Sequence, residues 1–188
     1  VSLSLLRHAL SSYGLMTNLP QRCLVIGPSW VGDMMMAQSL FIALKQQFPS
    51  LLIDVLAPAW SLPLLAVMPQ VNAGIELPFA HGELDLKRRY QLGRSLRANG
   101  YDWAIVLPNS FKSALIPFWA KIPRRTGYNG ELRYGLLNDR RQLDKARLIM
   151  TVQRFVALAY PPDIPQPPLF DNPVISLTSE QLRIVQTK

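Results

Sequence analysis

Residues 26–36 read I-G-P-S-W-V-G-D-M-M-M, and the fold is decided there. Just before it, Cys23 to Ile26 is a short, wholly apolar run, the pattern of a strand buried on both faces of a parallel sheet. Gly27, Pro28 and Gly32 punctuate the turn that follows. Met34, Ala37, Leu40, Phe41 and Leu44 then recur at three- and four-residue spacing, which predicts a helix over residues 33–47 with Asp33 at its entry. Two roles fit that acid. It can cap the helix by accepting a backbone N–H at the positive end of the macrodipole. It can also serve as a general base at the carboxyl end of a strand, where open α/β sheets hold their ligands. The pattern leaves both open.

The strand-turn-helix rhythm repeats downstream and predicts an α/β fold with a doubly wound, mostly parallel sheet. Leu51 to Ala57 is a second apolar run bounded by prolines, Ala59 to Met68 a short helical segment and Gly74 to Leu77 a short strand. Leu84 to Asn99 reads as a longer helix with Leu86, Tyr90, Leu92 and Leu96 as its apolar stripe, Arg88, Arg89 and Arg94 on its polar face, and Gly100 as its stop. Trp103 to Leu107 is the next strand; the polar turn Asn109-Ser110-Phe111-Lys112-Ser113 and a helix over residues 114–120 follow.

In such a sheet the carboxyl ends of the strands share one edge, so Gly32 and Asp33 are expected to face Asn109, Ser110 and Lys112. An amide, a hydroxyl and an ammonium beside a carboxylate suit a sugar's hydroxyls and an anionic substituent. The plainer alternative is a strand-to-helix turn capped by Ser110.

Composition narrows the classes. At 188 residues and 49% hydrophobic content, one ordinary domain with some tail is expected. Lys and Arg outnumber Asp and Glu by 20 to 12, a net charge of +8 that favours phosphates, an anionic membrane surface or nucleic acid without choosing among them. The single cysteine, Cys23, has no partner for an internal disulfide, which fits a reducing cytoplasm, and its apolar setting makes a poor nucleophile. Gly27 and Gly32 do not form G-x-G-x-x-G, and no Walker lysine follows them. His8 and His81 lie far apart, so zinc ligation has no support, and His81 reads as a surface loop residue. No RNA-binding signature is present, and no nucleic-acid partner is expected.

Past Pro123 the chain turns cationic and Gly-rich, R-R-T-G-Y-N-G-E-L-R-Y-G-L-L-N-D-R-R. It reads either as an anion-binding loop built on Arg124, Arg125, Arg133, Arg140 and Arg141 or as a solvated connector, with Glu131 placed to pair with Arg133. Trp30 and Trp60 either stack on a sugar ring or pack into the core, the more frequent outcome for tryptophans near apolar segments. Residues 1–20 carry no acid and no long apolar run and are expected to be a flexible extension, with Met16 a plausible natural start. The proline-rich 161–168 marks a boundary, giving a domain over residues 21–160 and a connector with a truncated tail over 161–188.

Three strings carry a specific resemblance: G-P-S-W-V-G-D-M-M-M-A-Q-S-L, L-P-N-S-F-K-S-A-L-I-P-F and R-R-T-G-Y-N-G-E-L-R-Y-G-L-L-N-D. Together with H-G-E-L at 81–84 and L-G-R-S-L-R at 92–97, they resemble in order, over Arg22 to Tyr160, the lipopolysaccharide heptosyltransferase II group of the ADP-heptose-dependent transferases, glycosyltransferase family 9. The resemblance implies the Rossmann-like amino-terminal domain of a GT-B enzyme, which holds the acceptor while the carboxyl-terminal half binds ADP-heptose. It implies inverting transfer of L-glycero-D-manno-heptose to the first heptose of the lipopolysaccharide inner core (heptosyl-Kdo2-lipid A), at the cytoplasmic face of the inner membrane and without a metal or other cofactor. Asp33 matches the base, and Gly32, Asn109, Ser110, Lys112, Arg125 and Arg133 fall in matching motifs on the acceptor side. The donor half has no counterpart before Lys188, so this chain alone is expected to be inactive. The alternative is a non-catalytic α/β domain that binds an anionic glycolipid or a nucleotide.

Overall fold

The computed structural model describes residues 19–79, 82–163 and 168–175. Expectations placed on residues 1–18, on His81 and on residues 176–188 lie outside them. The sheet has six parallel strands, β1 (Arg22–Ile26), β2 (Leu52–Ala57), β3 (Ala73–Glu76), β4 (Trp103–Val106), β5 (Arg124–Tyr128) and β6 (Asp139–Arg141), in the order β3-β2-β1-β4-β5-β6. The helices are α1 (Val31–Gln47), α2 (Leu62–Leu65), α3 (Leu86–Ser95), α4 (Phe111–Trp119) and α5 (Thr151–Ala157). A 3-10 turn over Leu96–Asn99 extends α3, and Gly100 ends it in the left-handed region at φ 67°.

The reason β1 is apolar at consecutive positions is now visible. Cys23 and Val25 point into one core, against Met34, Phe41 and Leu44 of α1 and Val152 and Val156 of α5. Leu24 and Ile26 point into the other, with Leu96, Ala114 and Ile116 from the α3 and α4 side. A doubly wound sheet buries both faces, and each such side chain contributes about 1.5–3 kcal/mol. Gly27 lets α1 pack closely on the end of β1: a Cβ there would lie 2.7 Å from Met34 Cε, the flexible end of a side chain that would have to shift. Burial pushes the Cys23 thiol pKa upward, in keeping with a packing role.

Two acids within the sheet are held by paired charges. Asp54, 1% exposed, accepts from Arg22 (3.0 Å), Asn72 Nδ2 (2.7 Å) and Tyr101 Oη (2.7 Å). Asp139 accepts from Arg124 Nε (3.0 Å), Thr126 Oγ1 (2.8 Å) and Arg141 Nη2 (3.0 Å). Trp103 Nε1 in turn donates to Thr126 Oγ1 at 2.8 Å.

Several expectations need correction. The helix after β1 starts at Val31 rather than Asp33, with Trp30 as its N-cap residue. On α3 and its extension the expected apolar stripe is buried only toward the carboxyl end: Leu96 is in the core and Leu92 packs against it, but Leu86 and Tyr90 are exposed, and the side chain buried near them is Arg89, 3% exposed. Its guanidinium lies 4.0 Å over the Phe79 ring and donates to the Leu84 and Glu83 carbonyls at 2.6 and 2.8 Å. The cationic segment past Pro123 is neither an open anion loop nor a solvated connector in its strand portions, since R-R-T-G-Y is β5 and D-R-R is β6. Residues 168–175 lie on α1, where Ser39 Oγ donates to the Asp171 carbonyl (2.7 Å) and Gln38 exchanges two bonds with the Val174 backbone. This segment satisfies two polar side chains that are otherwise buried.

Candidate active site

The strand order reverses direction of growth between β1 and β4, and both strands open at their carboxyl ends into one cleft of about 1230 Å³. Such a switch point is where parallel α/β sheets form a ligand crevice, because the loops after the two strands leave in opposite directions. The turn after β1 brings Ser29, Trp30 and Asp33 to the cleft, and the turn after β4 brings Asn109, Ser110, Phe111 and Lys112. Trp60, Phe79 and Arg89 line one side; Tyr128, Glu131 and Lys145 line the other.

Asp33 sits in the first turn of α1, inside the helix rather than at its cap, and α1 has no side-chain cap. Its carboxylate is partly buried, lines the cleft and has no hydrogen-bond or ion-pair partner among the described residues. The capping role is therefore not the one the geometry gives it. Gly32, beside it, is exposed, and a Cβ there would meet nothing within 4 Å. No packing within the described chain demands glycine at that position; its bareness leaves room next to the acid.

On the facing wall Ser110 occupies the N-cap position of α4 without capping it through its side chain. Glu131 does that work, its Oε2 accepting from the Phe111 N–H at 3.0 Å, so it is not tied to Arg133 as expected. The Ser110 hydroxyl and the Lys112 ammonium have no partner among the described residues and face the cleft. A carboxylate on one wall and a hydroxyl, an amide and an ammonium on the other can accept a proton from a hydroxyl while holding its neighbours and a negative group.

Two of the expected site residues are not brought there. Arg125 lies near the amino end of β5, on the edge away from Asp33, with Nε donating to the Leu136 carbonyl (2.6 Å) and Nη1 to that of Ile122 (2.5 Å). Arg133 is 1% exposed and donates to the carbonyl of Pro108 (2.7 Å), to Asn109 Oδ1 (3.3 Å) and to the Tyr128 carbonyl. Burial pulls the pKa of both guanidiniums down, and for Arg133 the Glu131 charge offsets part of the effect. Their planar forks serve backbone carbonyls instead of an anion.

Other cleft residues carried no expectation or an open one. Trp30 and Trp60 are 71% and 47% exposed on the cleft rim rather than in the core. Lys145, exposed and without a partner among the described residues, adds a second free ammonium. The position of Trp30 between a strand end and a helix start was a signal for exposure; Lys145 had none. Among the described residues, no group of three or more His, Cys, Asp or Glu is placed to hold a metal ion. No helix among them is long and apolar enough to cross a membrane.

Comparison with known proteins agrees with this architecture. The chain is 57% identical over 162 residues to lipopolysaccharide heptosyltransferase 2 of Salmonella typhimurium, covering 82% of this chain and 47% of that protein. It is 53% identical over 168 residues to lipooligosaccharide heptosyltransferase 2 of Haemophilus ducreyi, covering 89% and 48%. Among solved structures, E. coli ADP-heptose lipopolysaccharide heptosyltransferase II superposes with a TM-score of 0.77 at 48% identity, over 88% of this chain and 50% of that one. A family 9 glycosyltransferase from Veillonella parvula, 15% identical with a TM-score of 0.74 over 91% of this chain and 50% of that one, shares the fold. The chain spans about half the length of the curated relatives it matches. The model of glycosyltransferase family 9 (heptosyltransferase) matches residues 89–185, just over half of the sequence, and the chain belongs to that family.

Proposed function

We propose that this chain is the acceptor-binding half of an inverting heptosyltransferase that moves heptose from ADP-L-glycero-D-manno-heptose to the first heptose of the lipopolysaccharide inner core. The observation that supports it most is the unpartnered Asp33 carboxylate at the switch point of the sheet, across the cleft from the free Ser110 hydroxyl and Lys112 ammonium. The cleft, at about 1230 Å³, is larger than a site for a small metabolite needs and suits an oligosaccharide.

In this reading the acceptor hydroxyl lies against Asp33. As its oxygen attacks the anomeric carbon, a C–O bond forms, the proton passes to the carboxylate and the bond to the ADP oxygen breaks on the opposite face, which inverts the centre. ADP leaves as an anion, so no second carboxylic acid is required on the departing side, and positive groups of the donor-binding half stabilise it. Lys112 holds a negative substituent of the acceptor. The enzyme works without a metal at the cytoplasmic face of the inner membrane, where a net charge of +8 favours an anionic surface.

The test joins this domain to the donor-binding half of the Salmonella relative and follows heptose transfer from ADP-heptose. The chimera is expected to turn over and its Asp33→Asn form to lose about 10²–10⁴-fold in rate. Near-native turnover by that variant would discard Asp33 as the base. The 188-residue chain alone is expected to show no transfer.

A further inference from the structure

The layer built from α3, its 3-10 extension and α4 carries charge of one sign. Residues 86–101 hold five Lys and Arg and residues 111–123 hold two, and neither stretch contains an Asp or Glu. On the other face of the sheet α1 and α5 carry only Asp33, Lys45 and Arg154. Some of the α3 charge is satisfied locally, since Arg88 lies 3.6 Å from Glu83 and 3.8 Å from Asp85, and Arg89 is buried over the Phe79 ring. Lys87, Arg94, Arg97 and Lys121 are exposed, and none has an acidic partner among the described residues.

These cations stand beside exposed rings on a continuous surface. Lys87 and Arg94 are seven residues apart and so share one row of α3; exposed Phe111 and Phe118 form the matching row of α4. The two helices touch at Gly93, where a Cβ would lie 2.8 Å from Trp119 Cβ and 2.9 Å from the Ile116 carbonyl oxygen. Tyr90, also exposed, meets Trp119 edge to face at 5.6 Å, and Arg97 Nε donates to the Trp119 carbonyl at 2.8 Å. One end of this surface is the cleft itself, because Leu84, Phe111 and Lys112 line it.

We propose that the outer face of α3 and α4 docks on an anionic lipid bilayer, with Lys87 and Arg94 against phosphate headgroups and Tyr90 and Phe118 at the level of the headgroups and first acyl carbons. Cations draw the face to the surface charge, and rings with one wet edge settle at that depth. The choice of a membrane over another polyanion rests on the acceptor-binding reading above: a saccharide carried on a lipid reaches Asp33 only if the mouth of the cleft lies beside the bilayer.

The test is co-sedimentation of the 188-residue chain with vesicles of equal parts phosphatidylethanolamine and phosphatidylglycerol, against vesicles of phosphatidylcholine. The native chain is expected to bind the anionic vesicles and not the neutral ones. Lys87→Gln combined with Arg94→Gln should weaken binding about tenfold, and Phe118→Ser about threefold. Lys45→Gln combined with Arg140→Gln removes the same net charge from α1 and β6 and should weaken it less than twofold. No binding by the native chain, native-like binding by either variant of the face, or equal weakening by the control pair would overturn the docking face. The vesicles contain no acceptor, so any of these results leaves the acceptor reading to the chimera.

Discussion

The body of the sheet and its carboxyl edge treat charge in opposite ways. Within the strands Asp54 and Asp139 each accept three hydrogen bonds and bind arginines at 3.0 Å or closer. At the carboxyl edge Asp33, Lys112 and Lys145 have no partner among the described residues. A charge held inside a protein needs partners that replace its lost hydration, and the body of the sheet supplies them. Charges left open to a cleft contribute little to the fold and keep their full capacity for a ligand. The same sequence therefore separates stability, within the strands, from chemistry, at their carboxyl ends, and substitutions at matched carboxylates should separate the two readouts.

The largest effect is expected at Asp33. In the chimera with a donor-binding half, a 10²–10⁴-fold loss of turnover for Asp33→Asn corresponds to about 3–5 kcal/mol of transition-state stabilisation. The thermal unfolding free energy of the same variant should stay within about 1 kcal/mol of the native chain, since only an interaction with the start of α1 is lost. A large fall in stability would erase the contrast between the body of the sheet and its carboxyl edge.

Asp139→Asn is expected to do the reverse. Removing the charge between Arg124 and Arg141 should cost about 2–4 kcal/mol in urea unfolding, with oligosaccharide affinity unchanged. Burial by itself raises the pKa of Asp139; the hydrogen bond and charge of Arg141, the Thr126 hydroxyl and the Arg124 charge outweigh it, and the net shift is downward from 3.8. A carboxyl whose folded pKa is depressed stabilises the fold fully above its unfolded value, and that stability is lost as pH falls through the folded one. The gap between native and variant chains should therefore be constant at neutral pH and narrow below about pH 4. A gap that widens on acidification would place the stabilising charge elsewhere.

Gly130 joins the two regimes, since it is backbone packing that shapes the carboxyl edge. A Cβ at this position would collide with the Asn109 carbonyl at 2.5 Å, and backbone cannot yield as a flexible side chain does. Gly130→Ala should destabilise the chain by about 1–3 kcal/mol and also weaken oligosaccharide binding, because the wall carrying Asn109 and Ser110 must move. Gly32→Ala, with nothing within 4 Å, is the control that should spare stability. Loss of stability in both would mean that close approach is not what Gly130 supplies.

How far the sequence revealed these two regions depends on how local each determinant is. The buried run of β1 was legible because every position faces one of two cores, so consecutive apolar residues had no other solution. Asp33 was legible as the acid following that run, although its role waited on a helix start two residues earlier than the periodicity implied. Strands β5 and β6 were not legible: R-R-T-G-Y and D-R-R look solvated until Asp139 is seen to bind Arg124 and Arg141. Arg125 and Arg133 were read as anion ligands because a guanidinium that captures backbone carbonyls has the same sequence signature as one that awaits an anion, and Arg89 was read as part of a polar helix face because nothing local signals the Phe79 ring it covers.

Lys112 tests the contrast at its weakest point. Its ammonium is partly buried and unpartnered, so it contributes through charge on the ligand alone and not through any contact in the unliganded chain. Lys112→Ala should weaken oligosaccharide binding by about three- to fivefold, and the loss should shrink as salt rises from 0.05 to about 0.5 M, where the screening length falls to roughly 4 Å. Unfolding in urea should not register the change. If the loss persists unchanged at high salt, the stem of Lys112 is packing against ligand or loop, and the carboxyl edge then owes part of its selectivity to shape rather than to the charges it leaves open.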